Sequence, residues 1–135
     1  MIYQFYQRRV FPHLLNQVMQ TASLMDKRRE LLLPIEGEVL EIGFGTGLNI
    51  PFYGNVDVLY ALEPNPDIYH LAIERVQHAP FHVRHVQSHA EKLPFADQSL
   101  DHVVCTWTLC SIARLDQALA EIYRVLKPTG TFHLV

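Results

Sequence analysis

The chain has 135 residues, 49% hydrophobic and 19% charged, a composition that fits one globular domain with one core and excludes a disordered or fibrous chain. A formal charge of -3, with eight histidines spread along the chain, builds no broad cationic face of the kind that phosphate-backbone binding needs, so nucleic acid is not an expected partner. Apolar runs such as "LLLPI" fall far short of the roughly 18 residues of a membrane span, and no leader with a cleavage site opens the chain, which is therefore read as cytoplasmic.

In chain order, Val10, Phe11, Leu14, Leu15, Val18 and Met19 recur at spacings of three and four, which predicts an amphipathic helix near the N-terminus. Pro12 marks a helix start or a break in it. "EVLEI" (38–42) reads as a short buried strand ending at glycines, and "LNIPFYG" as a helix cut short by Pro51. A strand at 56–63, a helix at 66–79 and a strand at 81–87 follow. A fourth strand is expected at 101–108, a helix at 115–126 and a fifth strand at 131–135. Strands alternating with helices imply parallel crossovers, hence a doubly wound, mainly parallel α/β sheet of the Rossmann-like kind. Cys105 and Cys110 match neither a redox pair nor a zinc knuckle and are read as packed reduced thiols.

The stretch "VLEIGFGTGLN" (39–49) carries most of the chemistry. Gly43, Gly45 and Gly47 follow a strand and open a helix, so backbone can approach a ligand at the carboxyl end of the sheet. The dinucleotide pattern asks for a third glycine where Leu48 stands, whereas the spacing here is ExGxGxG. Glu63, at the end of the second strand, can accept hydrogen bonds from both hydroxyls of a ribose. Glu41 would repel a pyrophosphate and attract an ammonium group, which points to an adenosine-type cofactor without a pyrophosphate.

With "VLEIGFGTG", "ALEPNP", "AEKLPFAD", "DHVVCTWTLCSI" and "ALAEIYRVLKPTG" in this order, the chain resembles the class I S-adenosylmethionine-dependent methyltransferases, type 11 branch. "YQRRVFPHLL", "GLNIPFYG" and "CTWTLCSI" are similar to members related to the methyltransferase-like thiol S-methyltransferases. The resemblance implies sheet order 3-2-1-4-5 and one methyltransferase domain over 1–135, with a lid at 1–30 covering the site through Tyr6 and Phe11 and a cofactor core at 37–135. It implies that Glu41, Gly43, Phe44, Gly45 and Gly47 hold the methionine moiety of S-adenosylmethionine, with Asn49 near its carboxylate and Glu63 on the ribose. Pro64 and Asn65 would lie beside the adenine, and Thr106 and Trp107 would line the methionine side. Many relatives carry an acid before the alanine after the third strand. His89 precedes Ala90 here, leaving His89, Glu91 or local backbone for the adenine.

No catalytic base and no metal site are assigned. His82 and His85 would point to opposite faces of a strand, and the arginines Arg8, Arg9 and "KRR" at 27–29 read as a solvated helix face, with a membrane-surface contact as the alternative. The expected acceptor is a small molecule, a thiol or a quinone-type ring. A planar-amide motif is absent, its place taken by "CTWT". The family's strand 6–7 hairpin has no counterpart before Val135, so the chain reads as truncated. Truncation leaves a cofactor-binding module without turnover as an alternative; a nicotinamide-dependent oxidoreductase is disfavoured by the glycine spacing. The uncovered fifth strand, with Phe132, Leu134 and Val135, is expected to favour a homodimer through the sheet edge.

Overall fold

Five strands, β1 (Glu36–Ile42), β2 (Asn55–Leu62), β3 (His82–Val86), β4 (Leu100–Cys105) and β5 (Leu126–Leu134), form one sheet in the order β3-β2-β1-β4-β5, every neighbouring pair parallel. This computed structural model describes the backbone of all 135 residues and the side chains of all but Arg8, Arg9, Pro12, Leu15 and Asn16. The order is the expected one. Because successive side chains of a strand face opposite ways, β1 feeds two cores at once. Val39 joins Leu32, Ile35, Leu59 and Val104 on one face, while Leu40 and Ile42 join Leu62, Val103 and Cys105 on the other.

The second core is closed by α6 (Leu115–Val125), whose Ala118, Ile122 and Val125 recur at helical spacing and are fully or almost fully buried. Arg124 at its end bonds Glu121, Asp97 and the carbonyls of Leu93 and Phe95, which fixes the loop between β3 and β4.

Several expected boundaries shift. The single helix expected at 66–79 is two, α4 (Pro66–His70) and α5 (Ile73–Gln77). Between them the chain tightens into i to i+3 bonds, Leu71 N–H to Ile68 O and Ala72 N–H to Tyr69 O, where Ala72 packs in the core beneath the glycine loop. "LNIPFYG" yields only one 3₁₀ turn, Ile50–Phe52. β4 ends at Cys105 rather than 108, which releases Thr106 and Trp107 into the following turn. β5 begins at Leu126 rather than 131. Lys127 to Gly130 form a bulge between the pairs Leu100 with Leu126 and His102 with Thr131, so "KPTG" is part of the strand.

The N-terminal segment also divides. A helical run comprises α1 (Ile2–Phe5), a π-helical turn at Tyr6–Val10 and α2 (Phe11–Val18); α3 (Ala22–Leu32) follows after Thr21 adopts an extended conformation. Pro12 falls in the first turn of α2, just after the π turn, as a residue without an N–H would. Ile2, Tyr3, Phe5, Val10, Phe11, Leu14 and Val18 are exposed, and Tyr6 and Phe11 pack ring against ring at 6.3 Å. Among the described residues no helix is long and apolar enough to cross a membrane. Cys105 is buried as expected, whereas Cys110 is exposed and so is not a packed thiol.

Candidate functional site

Strand register decides which residues meet. Ile42 pairs with Leu62 on one side and with Cys105 on the other, so Gly43, Glu63 and Thr106 leave the sheet at the same level. The chain passes from β1 to β2 on one side, while β4 lies on the other. That is a topological switch point, where an open α/β sheet forms its ligand crevice.

The glycine loop is held by the strand beside it. Gly43 and Phe44 N–H both donate to Leu62 O at 3.1 Å. The Glu63 carboxylate, 6% exposed, accepts from Gly45 N–H through one oxygen and from Asn65 N–H through the other, both at 3.0 Å. A carboxylate offers about four acceptor positions, so two stay open to a ligand. Gly43 and Gly45 both have positive φ, +71° and +60°, but they serve differently. A Cβ on Gly43 would run into the Thr108 side chain, whereas one on Gly45 would meet nothing closer than Gly43 O at 3.8 Å. Gly43 permits loop closure against the turn after β4; Gly45 keeps a space empty. Gly43→Ala is therefore expected to lower the melting temperature by several degrees, as left-handed strain of about 1–2 kcal/mol adds to the collision. Gly45→Ala carries the strain alone and should act more on ligand affinity, a contrast that melting curves with and without ligand will read.

Beneath the loop lies a buried polar network. Glu41, 1% exposed, accepts from Asn49 Nδ2 at 2.8 Å and from the Tyr53 hydroxyl at 2.7 Å. Asn49 also donates to Thr106 Oγ1 at 3.1 Å, and its own oxygen accepts from Arg28 Nε at 2.8 Å. Burial pushes the Glu41 carboxyl up to about 7, although its bonds from Tyr53 and Asn49 and the charge of Arg28 pull the other way. Burial likewise lowers Arg28, which the Glu41 charge offsets, and raises the Tyr53 hydroxyl. Arg28 is 3% exposed, so its assignment to a solvated face is corrected: Lys27 and Arg29 are exposed, while Arg28 turns inward. Arg8 and Arg9 lie outside the described side chains.

Trp107 completes the wall. It sits at φ +53°, an uncommon conformation for a bulky residue, held by its N–H to Val135 O at 2.8 Å, and its ring lies 4.7 Å from the Arg28 guanidinium carbon. These residues line a partly open cavity of about 110 Å³ together with Phe44, Thr46, Leu48, Ile68 and Met19. Of the residues expected in the site, Glu41, Gly43, Phe44, Gly45, Asn49, Thr106 and Trp107 line the cavity, and Glu63 stands behind its rim. Gly47 packs under the loop against Phe44, Ile50 and Ala72.

The residues expected around the adenine are less uniform. Pro64 is exposed, and Asn65 caps α4 by accepting from Asp67 N–H at 2.9 Å. His89 is exposed and Ala90 is buried in the second core. Glu91 accepts from Arg114 N–H at 3.2 Å, and bonds from backbone N–H groups hold its carboxyl below the usual range. Among the described residues no group of three or more His, Cys, Asp or Glu is arranged to hold a metal ion.

The model of the family described as "Methyltransferase domain" matches residues 40–134, all of the sheet beyond the start of β1. The chain belongs to the methyltransferase domain family. It is 32% identical over 139 residues to the thiol S-methyltransferase TMT1A of Homo sapiens, covering 93% of this chain and 57% of that protein. A ubiquinone/menaquinone biosynthesis C-methyltransferase UbiE of Nitrobacter hamburgensis is 41% identical over 70 residues, or 50% of this chain and 28% of that one. Among solved structures, an S-adenosylmethionine-dependent methyltransferase of Thermotoga maritima superposes with a TM-score of 0.69 at 28% identity, covering 99% of this chain and 61% of that one. The chain spans about half the length of the curated relatives it matches. The cofactor of this methyltransferase family is S-adenosylmethionine.

Proposed function

We propose that the chain binds S-adenosylmethionine across the switch point and directs its methyl group to a small-molecule acceptor, a thiol by first preference. The observation that carries the cofactor reading is the pairing of two acids with a glycine loop: Glu41 buried beneath the loop and Glu63 holding it at the rim. A pyrophosphate would face both charges at close range; an aminoacyl ammonium and a ribose would be welcomed by them. The empty space beside Gly45 is a cradle that any side chain would fill, which fits a ligand lying against the loop backbone.

The partly open cavity of about 110 Å³ is smaller than the roughly 300–1,000 Å³ typical of whole-ligand pockets, so it suits the methionine end, with the nucleoside along the Glu63 rim. In this reading Glu41 and Asn49 orient the amino-acid end, Glu63 accepts from the ribose hydroxyls, and Trp107 with Met19 excludes water. The cofactor supplies an activated methyl group on a sulfonium. Held by Glu41, Asn49 and Glu63, the cofactor would offer that methyl group to an acceptor thiolate aligned opposite the sulfonium, with S-adenosylhomocysteine as the leaving group and the thiol proton given up to solvent beforehand. No acid or base from the protein is required for such a transfer from a sulfonium to a thiolate.

Similarity to proteins named thiol S-methyltransferases over most of the chain supports the thiol, and the shorter match to UbiE makes a quinone-type ring the second candidate. Incubation with labelled S-adenosylmethionine and a panel of small thiols, read by mass spectrometry, should yield S-methyl products. Methylation of quinols alone would move the acceptor to carbon, and binding without any product would mark the chain as a cofactor-binding module. The helices at 1–30 act in this reading as a lid: Met19 lines the cavity, and the apolar surface of α1 and α2 is uncovered. Amide exchange across 2–18 is expected to slow when S-adenosylhomocysteine is added; equal protection with and without it would make these helices mere packing.

A further inference from the structure

β4 and β5 bring two histidines together outside the crevice. Val103 and Phe132 turn toward the second core, so by the alternation of a strand His102 and His133 share the opposite face. The register pairs His102 with Thr131 and Val104 with His133, which sets the two rings diagonally across the strand pair. Their centroids lie 5.0 Å apart with the planes at 48°, and His102 Nδ1 stands 3.0 Å from His133 Nε2. Only one proton fits between those nitrogens, so one donates and the other accepts. Both rings are half-buried and still reachable from solvent. Beside His102 an open polar cleft is lined by Glu36, Asp57 and Asp101. Asp101 is engaged by Glu38 N–H at 2.8 Å and Lys127 Nζ at 2.9 Å, while Glu36 and Asp57 are exposed and favour a cation nearby.

We propose that His102 and His133 form a two-histidine site for a divalent transition ion of the zinc and nickel class, which takes the place of the shared proton and clamps β4 to β5. An imidazole nitrogen binds zinc at about 2.0–2.1 Å, so two nitrogens on one ion at angles of about 90–110° stand roughly 2.8–3.4 Å apart. The observed 3.0 Å falls inside that span, and the donors need little movement to receive the ion. The ring that carries the shared proton binds through its other tautomer, its proton moving to the nitrogen that faces away, so two neutral rings lose no net proton. Imidazole donors set the class of ion, because magnesium and calcium take oxygen ligands. No third His, Cys, Asp or Glu among the described residues completes the set, and water fills the remaining positions. Beyond His133 the chain reaches the Trp107 turn, where Val135 O accepts from Trp107 N–H, so an ion at this point holds that end of β5 in place.

The test is calorimetry of the full chain with Ni²⁺ and, separately, with Zn²⁺ and Mg²⁺. Saturable one-to-one binding is expected for the first two and none for Mg²⁺. His102→Gln and His133→Gln should each weaken Ni²⁺ binding by about ten-fold or more, and the double variant should lose no more than either single one, because removing one ring already ends the chelate. Cys110→Ser and His82→Gln, which alter exposed donors elsewhere, should leave the affinity within about two-fold. If a glutamine variant does not fold, ring-proton NMR of the unmodified chain decides: Ni²⁺ should broaden the His102 and His133 signals before those of the other histidines. Absence of saturable Ni²⁺ binding, additive losses in the double variant, a comparable loss in Cys110→Ser or His82→Gln, or broadening led by other histidines would each overturn the site.

Discussion

Replacing Glu63 by alanine is expected to weaken S-adenosylhomocysteine binding about ten-fold or more and to loosen the glycine loop at the same time. Hydrogen bonds to an ionised acceptor contribute roughly 1.5–3 kcal/mol, and this carboxylate is positioned to serve both a ligand and the backbone N–H groups of Gly45 and Asn65. Removing it leaves those two donors at the rim without their partner. Titration calorimetry gives the affinity, and melting curves of the unliganded variant report the loop separately. Unchanged affinity in Glu63→Ala would contradict the assignment of the ribose to this residue.

Glu41→Gln should change how stability depends on pH. Burial raises the folded-state pKa of Glu41 to about 7, above the 4.5 of the free side chain. A carboxyl raised in this sense contributes stability that is fully present below about pH 4.5 and is lost as pH rises through about 7. At about 1.4 kcal/mol per unit, the change is on the order of 3 kcal/mol. Urea unfolding at pH 5 and pH 8 should therefore show the unmodified chain losing more stability than Glu41→Gln over that interval, the difference between the two isolating the contribution of Glu41. Ligand affinity carries the opposite sign: an ammonium prefers the ionised form, so binding to the unmodified chain should strengthen as pH rises through 7, and that gain should vanish in Glu41→Gln. Parallel pH profiles for the two proteins would contradict both statements.

The glycine loop, Glu41 and Glu63 were readable in one dimension because each is fixed by its distance from the end of a strand, and strands announce themselves by alternation. The sheet order came only with the family resemblance that these motifs carry, because the order of strands along the chain does not by itself say which of them pair. Arg28 and Tyr53 were not readable. Tyr53 lies beyond the proline-shortened turn at Ile50–Phe52, and only that turn brings its hydroxyl back to Glu41. Arg28 lies between two exposed cations on a helix of weak amphipathicity, so nothing local separates it from Lys27 and Arg29; the acid that calls it inward belongs to the strand that follows. The break at Leu71–Ala72 has no glycine or proline to signal it, because its cause is close packing against the glycine loop, far back along the chain. Short-range pattern thus located the backbone of the site, while the charge pairing across it depended on tertiary contacts.

The measurement that bears most directly on the cofactor is titration calorimetry of the unmodified chain with S-adenosylhomocysteine and, separately, with NAD. A saturable one-to-one isotherm with S-adenosylhomocysteine and no heat of binding with NAD is the expected result. Saturable binding of NAD, or of neither compound, would contradict the placement of an aminoacyl nucleoside between the Gly43–Gly47 loop and Glu63.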